Sequence, residues 1–404
     1  MTSHIKLLTK GRTEIDWAWL LMVFLYSINM LNKANVLILG VLFIGILVIN
    51  YKNSRFKLSI DLFLLQMFSL CYYFILIQYK STGLDAMIIY LIGPTVLFCI
   101  GYFISNLDSK FILKTLFAMI LGNFTYGFLN MSVYFSNFGF NSFERTVPDF
   151  WTGILKPGTL QGTHFTLISS LLFVSLFIYK RGYDKFLSIL VLFCILFSIY
   201  STLILGNRTL ILLTVLIFIV NVVVFIILNR KGLNRNIKTV FKLLVFGLII
   251  SILYYINLFG LKDFIMESNF YNRMEQSSIA DDPRLLVYSK VLSQMFVYPL
   301  GGFKMDIGLN FAHNLWLDVL NATGLIPFTF LFLFTLKSLV NLINIMKNSE
   351  VELIDKLIVL SVFLGYLMNF MVEPILDGAP HMFLLFCLLT GMTSKFSNLL
   401  KNKL

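Results

Sequence analysis

The stretch 313–325, HNLWLDVLNATGL, closes the one long polar interval of the chain, which begins at Asn269. Most of the remaining sequence consists of apolar runs separated by short polar segments. Because loops on a rigid scaffold carry much of the chemistry of proteins, this interval is the first place to look for a functional site. The apolar runs decide the fold around it.

The composition places the chain in a membrane. It has 404 residues, of which 58% are hydrophobic and 13% are charged, and 42 are Phe. A soluble core cannot hide so much apolar surface. Many runs approach the roughly 20 residues that cross a bilayer as a helix. We therefore predict an all-α polytopic membrane protein with about 12 transmembrane helices and a large extracytoplasmic loop that contains short helices.

The predicted spans divide the chain into three parts. Residues 1–259 form an N-terminal transmembrane bundle of about nine helices with an outer segment at 132–162, residues 260–323 form the extracytoplasmic loop, and residues 324–404 form C-terminal transmembrane helices. The first two spans are short and are expected to form a helical hairpin. The predicted spans are 17–31, 35–50, 58–78, 86–105, 111–131, 163–179, 186–205, 209–228, 241–259, 324–345, 355–372 and 381–398.

The charges give the orientation. With both termini in the cytoplasm, most of the 32 Lys and Arg residues fall on the inner side, and most acidic residues fall outside. The formal charge of +12 is therefore explained by topology, and no nucleic acid is expected as a partner. Asp61 and Lys337 are the only charges predicted within spans, each close enough to the inner surface to snorkel.

The sequence contains no pattern typical of a metal or nucleotide site. The four Cys residues fall in apolar segments, so neither a disulfide framework nor a metal cluster is predicted. The adjacent Asp281 and Asp282 favour helix capping over a metal pair, because neighbouring carboxylates point apart on a helix. A phosphate-cradling Gly-Lys-Ser/Thr loop is absent from the sequence. We expect no metal and no cofactor.

Basic residues at the outer ends of spans are candidate binding groups. Arg208 falls in the turn from Gly206 to Thr209, which is too short to leave the membrane surface. A guanidinium held there either needs a carboxylate or phosphate partner or snorkels to lipid headgroups. Arg145 and His164 also fall at the outer interface, and the outer segment 373–380 carries two carboxylates, Glu373 and Asp377.

The polar interval contains two predicted helices. The first has Pro283 at its start and Arg284 in its first turn, where Arg284 is either a phosphate ligand or a solvated surface residue. Its apolar face would carry Leu285, Tyr288, Val291, Leu292 and Met295. On the second, one face would carry His313, Trp316, Leu317 and Leu320, and another would carry Asn314, Asp318 and Asn321.

His313 is the candidate for proton transfer. A His with a pKa near neutrality accepts a proton from a hydroxyl or bonds a phosphate oxygen, and Asn314 can orient either group. A structural hydrogen bond is the alternative reading. Because ATP is absent outside the cell, an enzyme on that side needs a donor that carries its own activation, such as a lipid-linked pyrophosphate sugar.

These motifs resemble the O-antigen ligase and polymerase superfamily of bacterial envelope glycosyltransferases. The matching residues are Asn207-Arg208-Thr209, Arg284-Leu285, Pro299 to Gly302, His313-Asn314 with Leu317, and Gly324-Leu325. The span count, the internal termini and one large late loop are similar too. The resemblance implies metal-independent transfer of a glycan from undecaprenyl pyrophosphate at the outer face of the bacterial cytoplasmic (inner) membrane.

The resemblance also implies roles for individual residues. His313 matches the catalytic His that activates the acceptor or contacts the pyrophosphate. Arg208 and Arg284 match pyrophosphate-binding arginines, and Arg145 lies in a segment where the family often holds another. The supporting candidates are Asn314, Asp318, His164 and Glu373, and either Asp318 or Glu373 is an alternative base.

Three functions stay open at this point. We expect a polymerase of O-antigen or capsular repeat units, with a ligase that transfers polymer to the lipid A core as the alternative. A flippase of lipid-linked oligosaccharides belongs to another class and should carry charges within its spans. The expected partners are an undecaprenyl-pyrophosphate-linked glycan and the lipid bilayer, and a chain-length regulator and a separate flippase are candidates.

Overall fold

The computed structural model describes residues 2–52, 59–80, 83–104, 109–140, 142, 144–178, 185–229, 247–249, 251–276 and 283–401. These residues are predominantly helical, with one antiparallel pair of short strands. Nine helices of the described part are long and apolar enough to cross a membrane. The chain is thus an all-α polytopic membrane protein, as the composition predicts.

The bounds of the elements follow. The helices are α1 (Thr2–Ser27), α2 (Ala34–Lys52), α3 (Ile60–Tyr79), α4 (Leu84–Ala86), α5 (Gly93–Ile104), α6 (Ser109–Phe138), α7 (Gly158–Ser169), α8 (Leu172–Ile178), α9 (Lys185–Leu205), α10 (Arg208–Leu228), α11 (Leu261–Glu267), α12 (Asn269–Gln276), α13 (Pro283–Gln294), α14 (Leu315–Thr323), α15 (Leu325–Lys347), α16 (Leu353–Phe370), α17 (Ile375–Gly378) and α18 (Pro380–Lys401). A π-helix, Met87–Ile92, joins α4 to α5, and 3₁₀ turns lie at Met30–Asn32 and Leu258–Gly260. The strands are β1 (Thr146–Pro148) and β2 (Leu155–Pro157), with Val147 opposite Lys156.

Three of the predicted spans are not among the nine apolar helices of the described residues. The span 17–31 corresponds to the end of α1, which stops at Ser27. The span 35–50 corresponds to α2, whose apolar part, Leu37–Ile49, is shorter than the nine. The span 241–259 falls partly outside the described residues. As predicted for a hairpin, α1 and α2 lie side by side, with Met22 filling the space above Gly40.

By their packing, the helices form two units. The first comprises Met1–Tyr126, Pro283–Val351 and Tyr366–Leu404. The second comprises Gly127–Asp282 and Glu352–Gly365. Each unit is assembled from segments that are distant in sequence.

The core of the first unit is the crossing of α5 and α18. The carbonyl of Leu388 occupies the space where Gly101 would carry a Cβ, and the carbonyl of Phe98 does the same at Gly391. Small residues at such a crossing let two helix backbones approach closely in a membrane. A chain of edge-to-face ring contacts surrounds it, formed by Phe98, Phe334, Phe386 and Phe370.

Asp61 of α3 is buried in this unit, so the expectation that it snorkels is wrong. Its Oδ2 accepts hydrogen bonds from Asn341 Nδ2 of α15 at 2.7 Å and from Ser394 Oγ of α18 at 2.5 Å. The residue is 2% exposed. A carboxylate within apolar surroundings needs such donors, because hydrocarbon supplies none. The polar contact therefore ties together three helices.

A polar network in the second unit holds the β-hairpin in place. Gln161 Nε2 donates to the carbonyl of Gly127 at 2.6 Å, and Asn130 Nδ2 donates to Gln161 Oε1 at 3.0 Å. The backbone N–H of Phe150 donates to Asn130 Oδ1 at 2.8 Å. These bonds join α6, α7 and the loop between the two strands. Arg145 lies directly before β1.

Candidate functional site

His313 lies in the loop directly before α14 and has a strained backbone. Its φ is +54°, a left-handed conformation that costs a residue with a Cβ about 1–2 kcal/mol. The helix begins only at Leu315, so the predicted helical face shared by His313 and Trp316 is wrong. Strain of this kind persists only where surrounding contacts impose it, and it clusters at functional sites.

Asp318 imposes this conformation. Its Oδ1 accepts a hydrogen bond from the backbone N–H of Ala312 at 2.6 Å, and its Oδ2 accepts one from the backbone N–H of Asn314 at 3.2 Å. Hydrogen bonds to an ionised carboxylate are stronger than those between neutral groups. Since the two amides flank His313, Asp318 fixes the backbone on both sides of the imidazole. Asp318 is therefore a positioning residue, because it acts on His313 through the backbone.

Asn314 is the N-cap of α14. Its Oδ1 accepts hydrogen bonds from the backbone N–H groups of Trp316 and Leu317, each at 3.2 Å. An Asn at this position satisfies amides that have no partner within the helix. Its Nδ2 donates to the carbonyl of Met371 at 3.4 Å. Asn314 therefore holds the start of the helix that follows His313, and the predicted role of orienting a substrate group stays a prediction.

Tyr288 of α13 links His313 to the segment after α16. Its hydroxyl lies 3.3 Å from the carbonyl oxygen of His313 and 2.9 Å from that of Met371. The sequence places Tyr288 on an apolar helical face and does not indicate this bond. The spacing indicates only that Tyr288 lies on the same side of the helix as Arg284, because it follows Arg284 by one helical turn.

The buried face of α13 matches the predicted one in part, because Val291 is buried and Tyr288 and Met295 are partly buried against the same cluster. Leu285 and Leu292 are exposed, whereas Val287 and Val291 are buried. The loop after the helix folds back over it, and Gln294 holds this loop through two hydrogen bonds with the backbone of Asp306, at 3.0 and 3.2 Å. Helical spacing cannot show which of two apolar faces such a loop will cover. The residues buried with Val287 and Val291 are Met305, Ile307, Ala312, Leu317 and Leu320.

Arg284 and Glu373 form an ion pair in the same part of the first unit. Arg284 Nη2 lies 3.8 Å from Glu373 Oε1, and only 18% and 5% of the two side chains are exposed. Glu373 follows Met371, the residue that Tyr288 and Asn314 contact. The pair therefore joins the start of α13 to the segment that also holds the loop of His313.

Two carboxyl groups of this site titrate near neutrality. Burial raises the pKa of Glu373 to about 7, although the charge of Arg284 lowers it. Burial also raises the pKa of Asp318 to about 7. The hydrogen bonds from the backbone N–H groups of Ala312 and Asn314 lower this pKa, and the negative charge of Asp377 raises it further. Shifts of this kind suit groups that exchange protons at physiological pH.

The raised pKa of Glu373 predicts that stability depends on pH. The unfolded chain releases this proton near the ordinary pKa of 4.5 and the folded protein only near 7, so the free energy of unfolding falls as pH rises between these values. Replacing Glu373 by Gln removes the ionisation. We expect the variant to unfold at the wild-type temperature at about pH 5 and at a higher temperature at about pH 8.

Thermal unfolding of the purified protein in detergent at both pH values measures this difference. The control is Asp306→Asn, which removes an exposed carboxylate of the same unit and should follow the wild type throughout. A Glu373→Gln variant that is less stable than the wild type at about pH 8 would show that the attraction of Arg284 outweighs the burial of Glu373.

The turn from Pro299 to Gly302 closes the other end of α14. The backbone N–H groups of Gly302 and Phe303 donate to the carbonyls of Ala322 and Asn321, each at 3.0 Å. The last carbonyls of a helix have no partner within it, so the turn satisfies two of them. This part of the family-like motif thus stabilises the helix that starts beside His313.

In the second unit, the side chain of Arg208 bonds the backbone of Arg273, and the side chain of Arg273 bonds the turn before Arg208. Arg208 Nη1 donates to the backbone carbonyl of Arg273 at 3.0 Å, and Arg273 Nη1 donates to that of Gly206 at 2.6 Å. Arg208 starts α10, with Asn207 as its N-cap, and the dipole of that helix adds positive potential. Two guanidinium groups at one turn are suited to bind an anion such as pyrophosphate. The sequence signal for Arg273 is its position in the polar interval.

Arg145 and His164 also belong to the second unit. The carbonyl of Arg145 accepts a hydrogen bond from the backbone N–H of Gly158 at 2.8 Å. His164 is 3% exposed. His164 lies in α7, which begins at Gly158, and its position at the outer interface stays a prediction.

The predicted site residues therefore fall into two sets. His313, Arg284, Asn314, Asp318 and Glu373 lie in the first unit, and Arg208, Arg145 and His164 lie in the second. Within the first unit, hydrogen bonds and one ion pair connect all five residues through α13, α14 and the segment after α16. That both sets meet in one pocket stays a prediction. No family model matches the chain, and no curated protein matches it, so its function has to be inferred from the site itself.

Proposed function

We propose that the protein is a membrane glycosyltransferase that polymerises undecaprenyl-pyrophosphate-linked repeat units of O-antigen or capsular polysaccharide. The observation that carries this proposal is His313, fixed in a strained conformation by Asp318 and connected through Tyr288 to the segment that holds the Arg284–Glu373 pair. An imidazole, a guanidinium and two carboxyl groups that titrate near neutrality can move a proton and stabilise an anion.

The proposed reaction is a direct displacement at the donor sugar. A hydroxyl oxygen of the acceptor glycan attacks the anomeric carbon, and the bond from that carbon to the pyrophosphate oxygen breaks. Undecaprenyl pyrophosphate leaves with the bonding electrons. His313 takes the hydroxyl proton as the new glycosidic bond forms. A single displacement of this kind inverts the anomeric configuration.

Arginine residues favour the departure of the pyrophosphate. The leaving group gains negative charge as its bond to the sugar breaks, and a fixed guanidinium stabilises that charge better than the ground state. Arg284 supplies one such group, and Arg208 and Arg145 are proposed to supply others. Losing one donor of this type raises the barrier by about 3 kcal/mol, or about 100-fold in rate.

The location follows from the charge pattern. With both termini in the cytoplasm, the basic excess lies inside, and the loop 260–323 and the segment 373–380 face outward. A lipid-linked donor on that side carries its own activation, so the reaction needs no ATP. The site is therefore proposed to face the outside of the bacterial cytoplasmic membrane, where a flippase delivers the donor and a chain-length regulator limits the product.

Deleting the gene and analysing the glycans tests the activity. We expect single repeat units attached to their final acceptor, because polymerisation stops while ligation continues. Re-expression of the wild-type chain should restore long polymer. Long polymer that stays on undecaprenyl pyrophosphate would indicate a ligase instead. Repeat units that accumulate on lipid at the cytoplasmic face would indicate a flippase.

A further inference from the structure

A cavity of about 310 Å³ lies within the first unit, apart from the residues predicted for the site. The cavity is lined by Tyr72 of α3, Lys80 directly after α3, and Tyr90 of the π-helix. Asp377 of α17 and Phe303 of the loop between α13 and α14 also line it. Its volume is at the lower end of the range of small-molecule sites, about 300–1,000 Å³. It can therefore hold one compact ligand group.

The walls of this cavity are held in place before any ligand binds. The hydroxyl of Tyr90 donates to the carbonyl of Leu376 at 3.0 Å and so fixes the short helix α17. Lys80 Nζ donates to Asp377 Oδ1 at 3.2 Å. The rings of Tyr72 and Tyr90 meet edge to face, with their centroids 5.4 Å apart. A preformed pocket loses little conformational entropy when its ligand binds.

The lining favours an uncharged sugar over a phosphate. Asp377 accepts hydrogen bonds from hydroxyl groups and Lys80 donates them, so the pair can bond two hydroxyls of one ring. The rings of Tyr90 and Phe303 offer apolar surface to the C–H face of a sugar. Two carboxylates, Asp85 and Asp377, oppose the one ammonium group of the lining, so the local charge is negative and repels a pyrophosphate.

The cavity is lined by chain segments that also hold the site around His313. Asp377 belongs to α17, which follows Glu373, the partner of Arg284, by a few residues of chain. The negative charge of Asp377 also reaches Asp318, whose pKa is raised mainly by burial and further by Asp377. Phe303, which lines the cavity, donates its backbone N–H to the carbonyl of Asn321 at 3.0 Å, so the cavity wall is attached to α14, the helix that begins after His313.

We propose that this cavity binds one sugar residue of the acceptor glycan and presents the attacking hydroxyl to His313. Asp377 and Lys80 hold the hydroxyl groups, and Tyr90 and Phe303 cover the ring. This role rests on the proposed polymerase activity, and it names the site that selects the acceptor. A pyrophosphate carrier is excluded from the cavity by charge and occupies the arginine residues instead.

Two variants of the full-length protein test this role by different means. Gly83 lines the cavity with φ −85°, and a Cβ there meets no atom within 4 Å, so Gly83→Trp adds an indole at the cavity with little strain. Asp377→Asn removes the carboxylate instead. The probe is the repeat-unit oligosaccharide released by mild acid from the lipid-linked pool of the deletion strain and labelled at its reducing end.

Binding is measured to the purified protein in detergent micelles. We expect the wild type to bind the probe and both variants to bind it at least about tenfold more weakly, as the loss of one good contact implies. The two control variants carry the same kinds of substitution, to Trp and from Asp to Asn, at residues that do not line the cavity. Leu84→Trp alters the next residue, which is 73% exposed, and Asp306→Asn alters an exposed carboxylate of the loop. Both should bind like the wild type.

Each outcome decides the proposal. Wild-type affinity in Gly83→Trp or Asp377→Asn, or no binding of the probe to the wild type at millimolar concentration, overturns the acceptor site. A separate result would contradict the proposed activity, namely polymer of normal length from a variant that lacks the His313 imidazole. Loss of polymer in that variant with unchanged probe binding would support both roles at once.

Discussion

Replacing His313 by Asn is expected to abolish polymer in cells while the protein stays at its normal level in the membrane. Asn adopts the left-handed backbone conformation more readily than most residues, so the loop geometry at φ +54° is kept. Only the imidazole is lost. Removing a general base slows a reaction by about 10²- to 10⁴-fold. Gel patterns of the surface glycan and immunoblots of the membrane fraction measure the two effects.

Asn310→Ala is the control for this loop, because Asn310 is exposed and lies just before the segment that Asp318 holds. It should leave the chain-length pattern unchanged. Normal polymer from His313→Asn would remove His313 from the mechanism.

Arg208→Ala should also abolish polymer if the second unit serves the same reaction, and it thereby tests whether the two sets of residues act together.

Replacing Gly324 by Ala is expected to reduce sharply the amount of folded protein. Gly324 joins α14 to α15 with φ +82° and ψ −166°, a conformation that is essentially restricted to Gly. An added Cβ would overlap the carbonyl oxygen of Pro299 and lie 2.6 Å from the Cα of Leu300. These are backbone atoms, and the bond from the N–H of Leu325 to that carbonyl, 2.8 Å, holds them in place.

A matched glycine separates the overlap from the backbone strain. Gly139 has a similar φ of +80°, but a Cβ there would meet no atom within 4 Å. Gly139→Ala therefore carries only the conformational cost, which is about 1–3 kcal/mol. The monodisperse fraction after solubilisation and the unfolding temperature should fall much further for Gly324→Ala. Equal losses in the two variants would contradict the close backbone contact.

The helical architecture follows from the sequence because apolar length alone decides it. Nine of the predicted spans coincide with helices of the described residues that are long and apolar enough to cross a membrane. Helix starts are harder to place, because a few polar residues can lie within a helix when other helices cover them. His164 illustrates this, since the polar residues from Gly158 onward already belong to α7.

The site is predicted less completely, because its contacts join distant parts of the chain. The early position of Arg284 on its helix is a local feature that the sequence shows, whereas Asn314, which is predicted on a helical face, is the N-cap of α14. The Lys80–Asp377 pair spans 297 residues, so no spacing rule can indicate it. The backbone conformation of His313 depends on the two backbone N–H groups that bond the carboxylate of Asp318. Helical periodicity does not show which N–H groups these are.

The buried carboxylate of Asp61 constrains the order in which the protein assembles. Its two donors stand 280 and 333 residues later in the chain, and synthesis proceeds from the N-terminus. When α3 first reaches the bilayer, neither α15 nor α18 has been translated. The carboxyl group of Asp61 therefore has neither of these donors while the helices between them are being made. The earliest helices of the first unit thus reach their final neighbours only after the last one has emerged from the ribosome.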